Sequence, residues 1–157
     1  MTEIEGQLRG PGRVAVLVSR YNERVTGRLL EGARACCRAA AIAESDIDVV
    51  WVPGAFELGV AAAVAAASGR YAALVALGCV VRGETPHFEF VAGSAERALT
   101  SVALEHHIPV GFGLLTTDTM EQALARAGGD AGNKGYEAAE AALRTADLLG
   151  RLGGADA

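Results

Sequence analysis

The segment Gly78 to His87, GCVVRGETPH, carries the strongest chemical signal in the chain. An apolar run ends there in a Gly-Glu-Thr turn, and Thr85-Pro86 reads as an N-cap followed by proline at the first helical position. Backbone N–H groups at such a helix start point outward and suit a phosphate. His87 falls in the first turn, where an imidazole can move protons near neutral pH. The residues alone leave His87 open between that role and an ordinary surface histidine beside a cap. His106 and His107, at the end of the following helix, read as structural.

Cation usage is the second signal. The chain has 13 arginines and one lysine, so Lys134 is the exception. It lies in the glycine-rich stretch Gly128 to Gly135, ahead of a helix, where a flexible ammonium can neutralise phosphate or hold a reacting oxygen. Arg126, closing the preceding short helix, is either a phosphate fork or a favourable charge at a helix C-terminus. Pro53-Gly54-Ala55-Phe56-Glu57 turns a strand into a helix with small residues and presents backbone amides, although Glu57 also meets the simple preference for acid in a first turn. Tyr21 and Phe112 stand near strand ends, where an aromatic can stack on a flat heterocycle or simply pack. Trp51, inside a strand, reads as core.

Nucleotide motifs are not matched. Gly78 to Gly83 has the glycine spacing that opens a P-loop, but Glu84 stands where the lysine is required, and Asn133 rather than glycine precedes Lys134. Gly111-Phe112-Gly113 lacks the third glycine of a dinucleotide fingerprint and falls inside an expected strand. ATP and NAD are disfavoured.

The elements that must position these residues alternate in type. Val14 to Ser19, Ile47 to Val52, Ala72 to Val81 and Val110 to Leu115 are short apolar runs, read as strands buried on both faces. Between and after them, Arg24 to Ala41, Ala55 to Ser68, His87 to His106, Met120 to Ala127 and Gly135 to Leu149 carry helix-favouring Ala, Leu, Glu and Arg. That alternation predicts an α/β fold with a four-stranded parallel sheet and crossover helices. Ligands of such sheets bind in the crevice at the carboxyl ends of the strands. Ser19 to Asn22, Pro53 to Glu57, Arg82 to His87 and Thr116 to Thr119 all follow strand ends, so the unusual residues collect at that crevice.

Composition narrows the class. At 157 residues the chain is expected to form a single domain, 1–157, with an N-terminal arm over 1–12 and a C-terminal tail over 151–157. A net charge of -5 and 5% aromatics argue against a nucleic-acid surface, which wants basic charge and stacking rings. Mean hydropathy is +0.26, yet no run approaches the roughly 18 apolar residues of a membrane span. The first residues have no basic start followed by an apolar stretch, so no secretory signal is read and a cytoplasmic location is expected. Cys36, Cys37 and Cys79 have neither metal-ligand spacing nor a disulfide framework, and read as small buried hydrophobes. A small chain this apolar is expected to hide part of its surface against copies of itself.

In order along the chain, VSRYNERVTGRLLEGA, VPGAFELGVAA, ALGCVVRGETPHFEFV, GFGLLTTDTMEQALARAG and AGNKGYEAA resemble the lumazine synthase family, from Val14 to about Ala146. The resemblance implies a three-layer α/β/α, flavodoxin-like sandwich whose sheet gains an N-terminal strand from a neighbouring subunit. It implies a transferase of riboflavin biosynthesis that condenses 5-amino-6-(D-ribitylamino)uracil with 3,4-dihydroxy-2-butanone 4-phosphate, releasing phosphate and water. No metal or other cofactor is implied, and His87 becomes the catalytic residue.

By the same resemblance, the pyrimidine would meet Tyr21, Asn22, Ala55, Phe56, Glu57, Cys79, Val80, Val81 and Phe112. The sugar phosphate would meet Glu84, Thr85, Arg126 and Lys134. Pentamers with active sites between subunits, or 60-subunit shells of pentamers, are implied as well, with riboflavin synthase as a candidate partner. Many members have Phe where Tyr21 stands, which touches pyrimidine selectivity. The rival readings are a flavodoxin-like module that binds flavin or lumazine without catalysis, and a family member turned to another substrate.

Overall fold

Every residue of the first strand, β1 (Val14–Ser19), is buried. Val14, Val16 and Val18 join one apolar cluster while Ala15 and Leu17 join another, the division that a period of two imposes on a strand covered on both sides. The computed structural model describes residues 1–154, so Ala155 to Ala157 of the expected tail lie outside the described residues. After β1 come α1 (Glu23–Ala39), β2 (Ile47–Val52), a single turn (Ala55–Glu57) leading into α2 (Leu58–Ala67), and β3 (Ala73–Val81). Then follow α3 (His87–His106), β4 (Val110–Thr117), α4 (Met120–Ala125), β5 (Ala127–Gly129), β6 (Gly132–Asn133) and α5 (Lys134–Leu152).

The four long strands form one parallel sheet in the order β2-β1-β3-β4. Helices α1 and α5 cover one face, and α2 and α3 the other, giving the expected three-layer α/β/α, flavodoxin-like sandwich. Helix α5 lies so close to β4 that a Cβ on Gly111 would collide with the carbonyl of Ala138. The chain leaves β1 for β2 on one side and returns to β3 on the other, which opens the crevice between their tips.

Two expectations about β2 are corrected. It is an edge strand whose residues are mostly half-exposed, not buried on both faces, because nothing among the described residues pairs with its outer edge, and β4 at the opposite edge likewise leaves Phe112 and Thr116 exposed. Trp51 on β2 accordingly lies outside the fully buried core, with the Arg20 guanidinium 4.0 Å above its ring. The glycine-rich stretch between Arg126 and Lys134 is also more ordered than a loop, since β5 and β6 pair antiparallel within it.

The N-terminal residues contain no regular element before β1, and the middle of this segment is docked. Gly6 is buried against α5, where a Cβ would strike the Arg144 carbonyl. The Gln7 N–H donates to Asp147 at 2.7 Å, and Arg9 and Arg151 pair with the same carboxylate at 3.2 and 2.9 Å. The Asp147–Arg151 pair carries α5 on to Leu152, past the expected start of the tail at residue 151.

Candidate functional site

The tips of β1, β2 and β3 are fastened to one another before any ligand is considered. The Arg20 and Tyr21 N–H groups donate to the Val52 and Pro53 carbonyls at 2.8 and 3.0 Å, continuing the β1–β2 ladder beyond both strands. Asn22 then adopts a left-handed conformation (φ 62°), which asparagine tolerates better than most residues. Its amide donates to the Cys79 carbonyl at 2.8 Å, tying β1 to β3 across the switch point. The same twist leaves Tyr21 facing outward at 73% exposure, and its hydroxyl makes no hydrogen bond among the described residues.

Beyond these tips lies a hollow of about 820 Å³. Tyr21, the Ala55-Phe56-Glu57 turn and the β3 end Cys79-Val80-Val81 line one part of it, and Thr85 and His87 another. Nine of the expected site residues are thus brought to one place, while Asn22 holds the floor from outside the lining. Burial pushes the Cys79 thiol up to about 11, so it stays protonated near neutral pH and offers no thiolate nucleophile. His87 is exposed in the first turn of α3 and makes no hydrogen bond among the described residues. The imidazole is therefore uncommitted at the mouth of the hollow. Phe88, Phe90 and Val91 also line it, which the sequence reading missed; the signal was the apolar spacing of HFEFV immediately after the turn.

The expected N-cap is corrected. Pro86 occupies the cap position of α3 and Thr85 makes no side-chain capping bond; the Glu89 N–H donates to the Pro86 carbonyl at 3.0 Å, which leaves the His87 and Phe88 N–H groups of that first turn without a capping side chain. Glu84 is exposed and lines none of the three hollows described here.

Phe112, Arg126 and Lys134 lie elsewhere on the chain. Phe112 is half-exposed on β4 and shares a second hollow of about 730 Å³ with Lys134. Arg126 lines a third, polar hollow with Arg82, Asp118 and Gln122. The β5–β6 hairpin joins the backbones of these two residues at its base, with the Lys134 N–H donating to the Arg126 carbonyl at 2.9 Å. Arg126 is in no ion pair among the described residues and donates to the Gln122 carbonyl at 3.0 Å, whereas Lys134 pairs with Glu137 at 3.2 Å. The expected site residues thus fall into two constellations that line different hollows: the aromatic platform with the imidazole, and Phe112 with Lys134 together with Arg126, whose own hollow shares Phe88 with the first.

No group of three or more His, Cys, Asp or Glu residues suited to a metal ion occurs among the described residues. No helix among them is long and apolar enough to cross a membrane. Against known proteins, the family model for 6,7-dimethyl-8-ribityllumazine synthase matches residues 11–150. The chain belongs to that family. A lumazine synthase from Gemmatimonas aurantiaca is 53% identical over 152 residues, covering 96% of this chain and 93% of its own. One from Edwardsiella ictaluri is 52% identical over 151 residues, covering 95% of this chain and 97% of its own. The family match spans both constellations, from the platform at Tyr21 to the cations at Arg126 and Lys134.

Proposed function

We propose that the chain catalyses the condensation of 5-amino-6-(D-ribitylamino)uracil with 3,4-dihydroxy-2-butanone 4-phosphate to 6,7-dimethyl-8-ribityllumazine, in riboflavin biosynthesis. The observation that carries this reading is the hollow shared by the Tyr21 ring, the Ala55 to Glu57 turn and the free imidazole of His87, in a chain of this family. The flat pyrimidine stacks on Tyr21, and its polar edge meets the backbone of the Ala55 turn and of Cys79 to Val81. The phosphate of the second substrate lies on the open N–H groups about Thr85, with Glu84 at its border.

The pyrimidine amine attacks the ketone carbon and water leaves to give an imine. Loss of a proton from carbon then expels inorganic phosphate, and attack of the ribitylamino nitrogen with loss of a second water closes the ring. Each step moves protons and none changes the net redox state, so one uncommitted imidazole at the mouth of the hollow is a suitable shuttle. Arg126 and Lys134 stabilise the departing phosphate, and Phe112 closes over the pyrimidine.

These last three residues belong to the other constellation, so the complete site is formed between copies of the chain. The exposed side chains of Phe56, Val60, Val64, Phe90 and Leu104 support such a contact, since an apolar surface of this extent calls for cover. We read the assembly as a cytoplasmic pentamer or a 60-subunit shell of pentamers, with the N-terminal arm adding a strand to a neighbour's sheet and riboflavin synthase as a candidate partner. Sedimentation of the purified protein tests the assembly; a monomer would remove the composite site.

The reaction itself is tested by mixing the two substrates and following lumazine fluorescence. His87→Ala is expected to lower kcat by roughly 10²-fold or more, the usual contribution of a positioned acid-base group. A wild-type chain giving no lumazine above the uncatalysed rate would be a binding module instead.

A further inference from the structure

Between the two constellations runs a connection through one side chain. The Arg82 N–H donates to the Thr117 carbonyl at 2.8 Å, extending the β3–β4 ladder one step past the end of β3. The Arg82 Nε donates to Asp118 at 2.8 Å, just beyond the tip of β4. Its guanidinium lies 4.6 Å over the ring of Phe88, the residue after His87, and reaches Glu89 at 3.4 Å. Arg82 thus holds the start of α3 from below, while the turn between them, Gly83 to Pro86, is exposed throughout.

Asp118 is equally committed on its other side. Its backbone N–H donates to the Gln122 side chain at 2.9 Å, and Thr119 with Gln122 forms the capping box that starts α4. That helix spans only Met120–Ala125 and ends at Arg126. A displacement of Asp118 is therefore passed to Arg126 with little helix to absorb it.

We propose that Arg82 and Asp118 form a positioning pair that sets the start of α3, with His87, in one site and steadies the short helix by which the same chain presents Arg126 to a neighbour's site. The inference rests on the proposed reaction and adds two residues to it, neither of which needs to touch the substrates. The Asp118 pair holds the guanidinium edge and Phe88 its face, which fixes the plane of Arg82 as a lysine could not. Both side chains are exposed, so the pair acts through placement rather than stability: a small misplacement of reacting groups has a large kinetic effect, up to roughly 10²-fold for an ångström.

The alternative is that Arg82 leaves Asp118 and binds the substrate phosphate directly. The two accounts predict opposite results when the carboxylate is removed. As a positioning pair, Arg82→Ala and Asp118→Asn each lower kcat/KM for the phosphate substrate by about 5- to 20-fold, within that geometric range. KM for the pyrimidine stays within about twofold of wild type, since Tyr21 and the Ala55 turn are untouched. The double variant is no worse than the poorer single one, and Asp118→Glu recovers most of the activity.

If Asp118→Asn leaves KM for the phosphate substrate unchanged or lowers it while Arg82→Ala raises it, Arg82 is a direct ligand and the pair is overturned. Effects that multiply in the double variant overturn it too. Fluorescence titration with the lumazine product checks that each variant keeps its fold; should Arg82→Ala fail, Arg82→Lys takes its place and is expected to shift kcat/KM in the same direction. A wild-type chain that makes no lumazine refutes the proposed reaction, whereas an active wild type with unaltered variants refutes only the positioning pair.

Discussion

Asn133 shows how the packing of α5 sets the cation site, and its replacement by alanine has a calculable effect. The Asn133 side-chain oxygen accepts from the Gly135 and Tyr136 N–H groups at 2.8 and 3.1 Å, capping α5. Its amide donates to the Arg28 carbonyl on α1 at 3.1 Å. The side chain fits because residue 32 of α1 is glycine; a Cβ there would overlap the Asn133 amide. Loss of the cap costs about 1 kcal/mol. Loss of the bond to Arg28 adds about another 1 kcal/mol. Asn133→Ala is therefore expected to lose about 2 kcal/mol, a fall in Tm of roughly 4 to 8 °C for a chain of this length.

Asn133→Asp separates the two contributions. It keeps the cap and places a negative charge at a helix N-terminus, but surrenders the donor to Arg28, so the expected loss is about 1 kcal/mol. Thermal or denaturant unfolding at one fixed protein concentration measures both, because self-association shifts apparent stability by mass action. Lys134 is the next residue, so the alanine variant should also raise KM for the phosphate substrate a fewfold. An alanine variant within about 0.5 kcal/mol of wild type, the range of an ordinary surface change, refutes the reasoning, as does an aspartate variant less stable than the alanine one.

Other perturbations probe separate parts of the molecule. Arg126→Ala should raise KM for the phosphate substrate roughly tenfold, as loss of a charge-assisted contact does, and leave KM for the pyrimidine unchanged; an unaltered phosphate KM removes Arg126 from the site. Tyr21→Phe should change neither constant, because the hydroxyl has no partner among the described residues, whereas Tyr21→Ala should raise the pyrimidine KM roughly tenfold through lost stacking. The carboxyl of Asp147 is held below the usual range, first by the Gln7 N–H and then by Arg151 and Arg9. A depressed folded value means the stabilisation is complete above the unfolded pKa of about 3.9 and is lost as pH falls through the lower folded value. The arm should therefore loosen in acid below about pH 4, and Asp147→Asn should speed tryptic cleavage after Arg9 at neutral pH; equal cleavage rates would show that the arm is held by other contacts.

The strands were legible because β1 and β3 are covered on both faces, and a fully covered strand writes itself as an unbroken apolar run. Edges are harder. β2 departs from the central strands at Asp48, a sign of an edge, but its other residues are as apolar, so the topology is what shows that they are half-exposed and that Trp51 lies under Arg20. The short β5–β6 pairing was hidden for a related reason: glycines at 128, 129 and 132 write a loop in sequence, while the backbone bonds between Arg126 and Lys134 that close the hairpin are independent of side-chain type.

The same distinction explains what could be read of the site. Tyr21, the Ala55 turn and His87 follow strand ends and are local in sequence, so the crevice rule gathers them. Separation of Phe112, Arg126 and Lys134 from that hollow is a property of three-dimensional surface, and no motif states it. Arg82 was placed at the crevice only as part of the turn after β3, with no role of its own, since its distinction lies in a carboxylate 36 positions away and a ring above it. The features that complete a site from distant elements are those a residue pattern does not carry. For that reason the decisive experiments here compare the two substrates' constants, which report separately on the platform and on the cations.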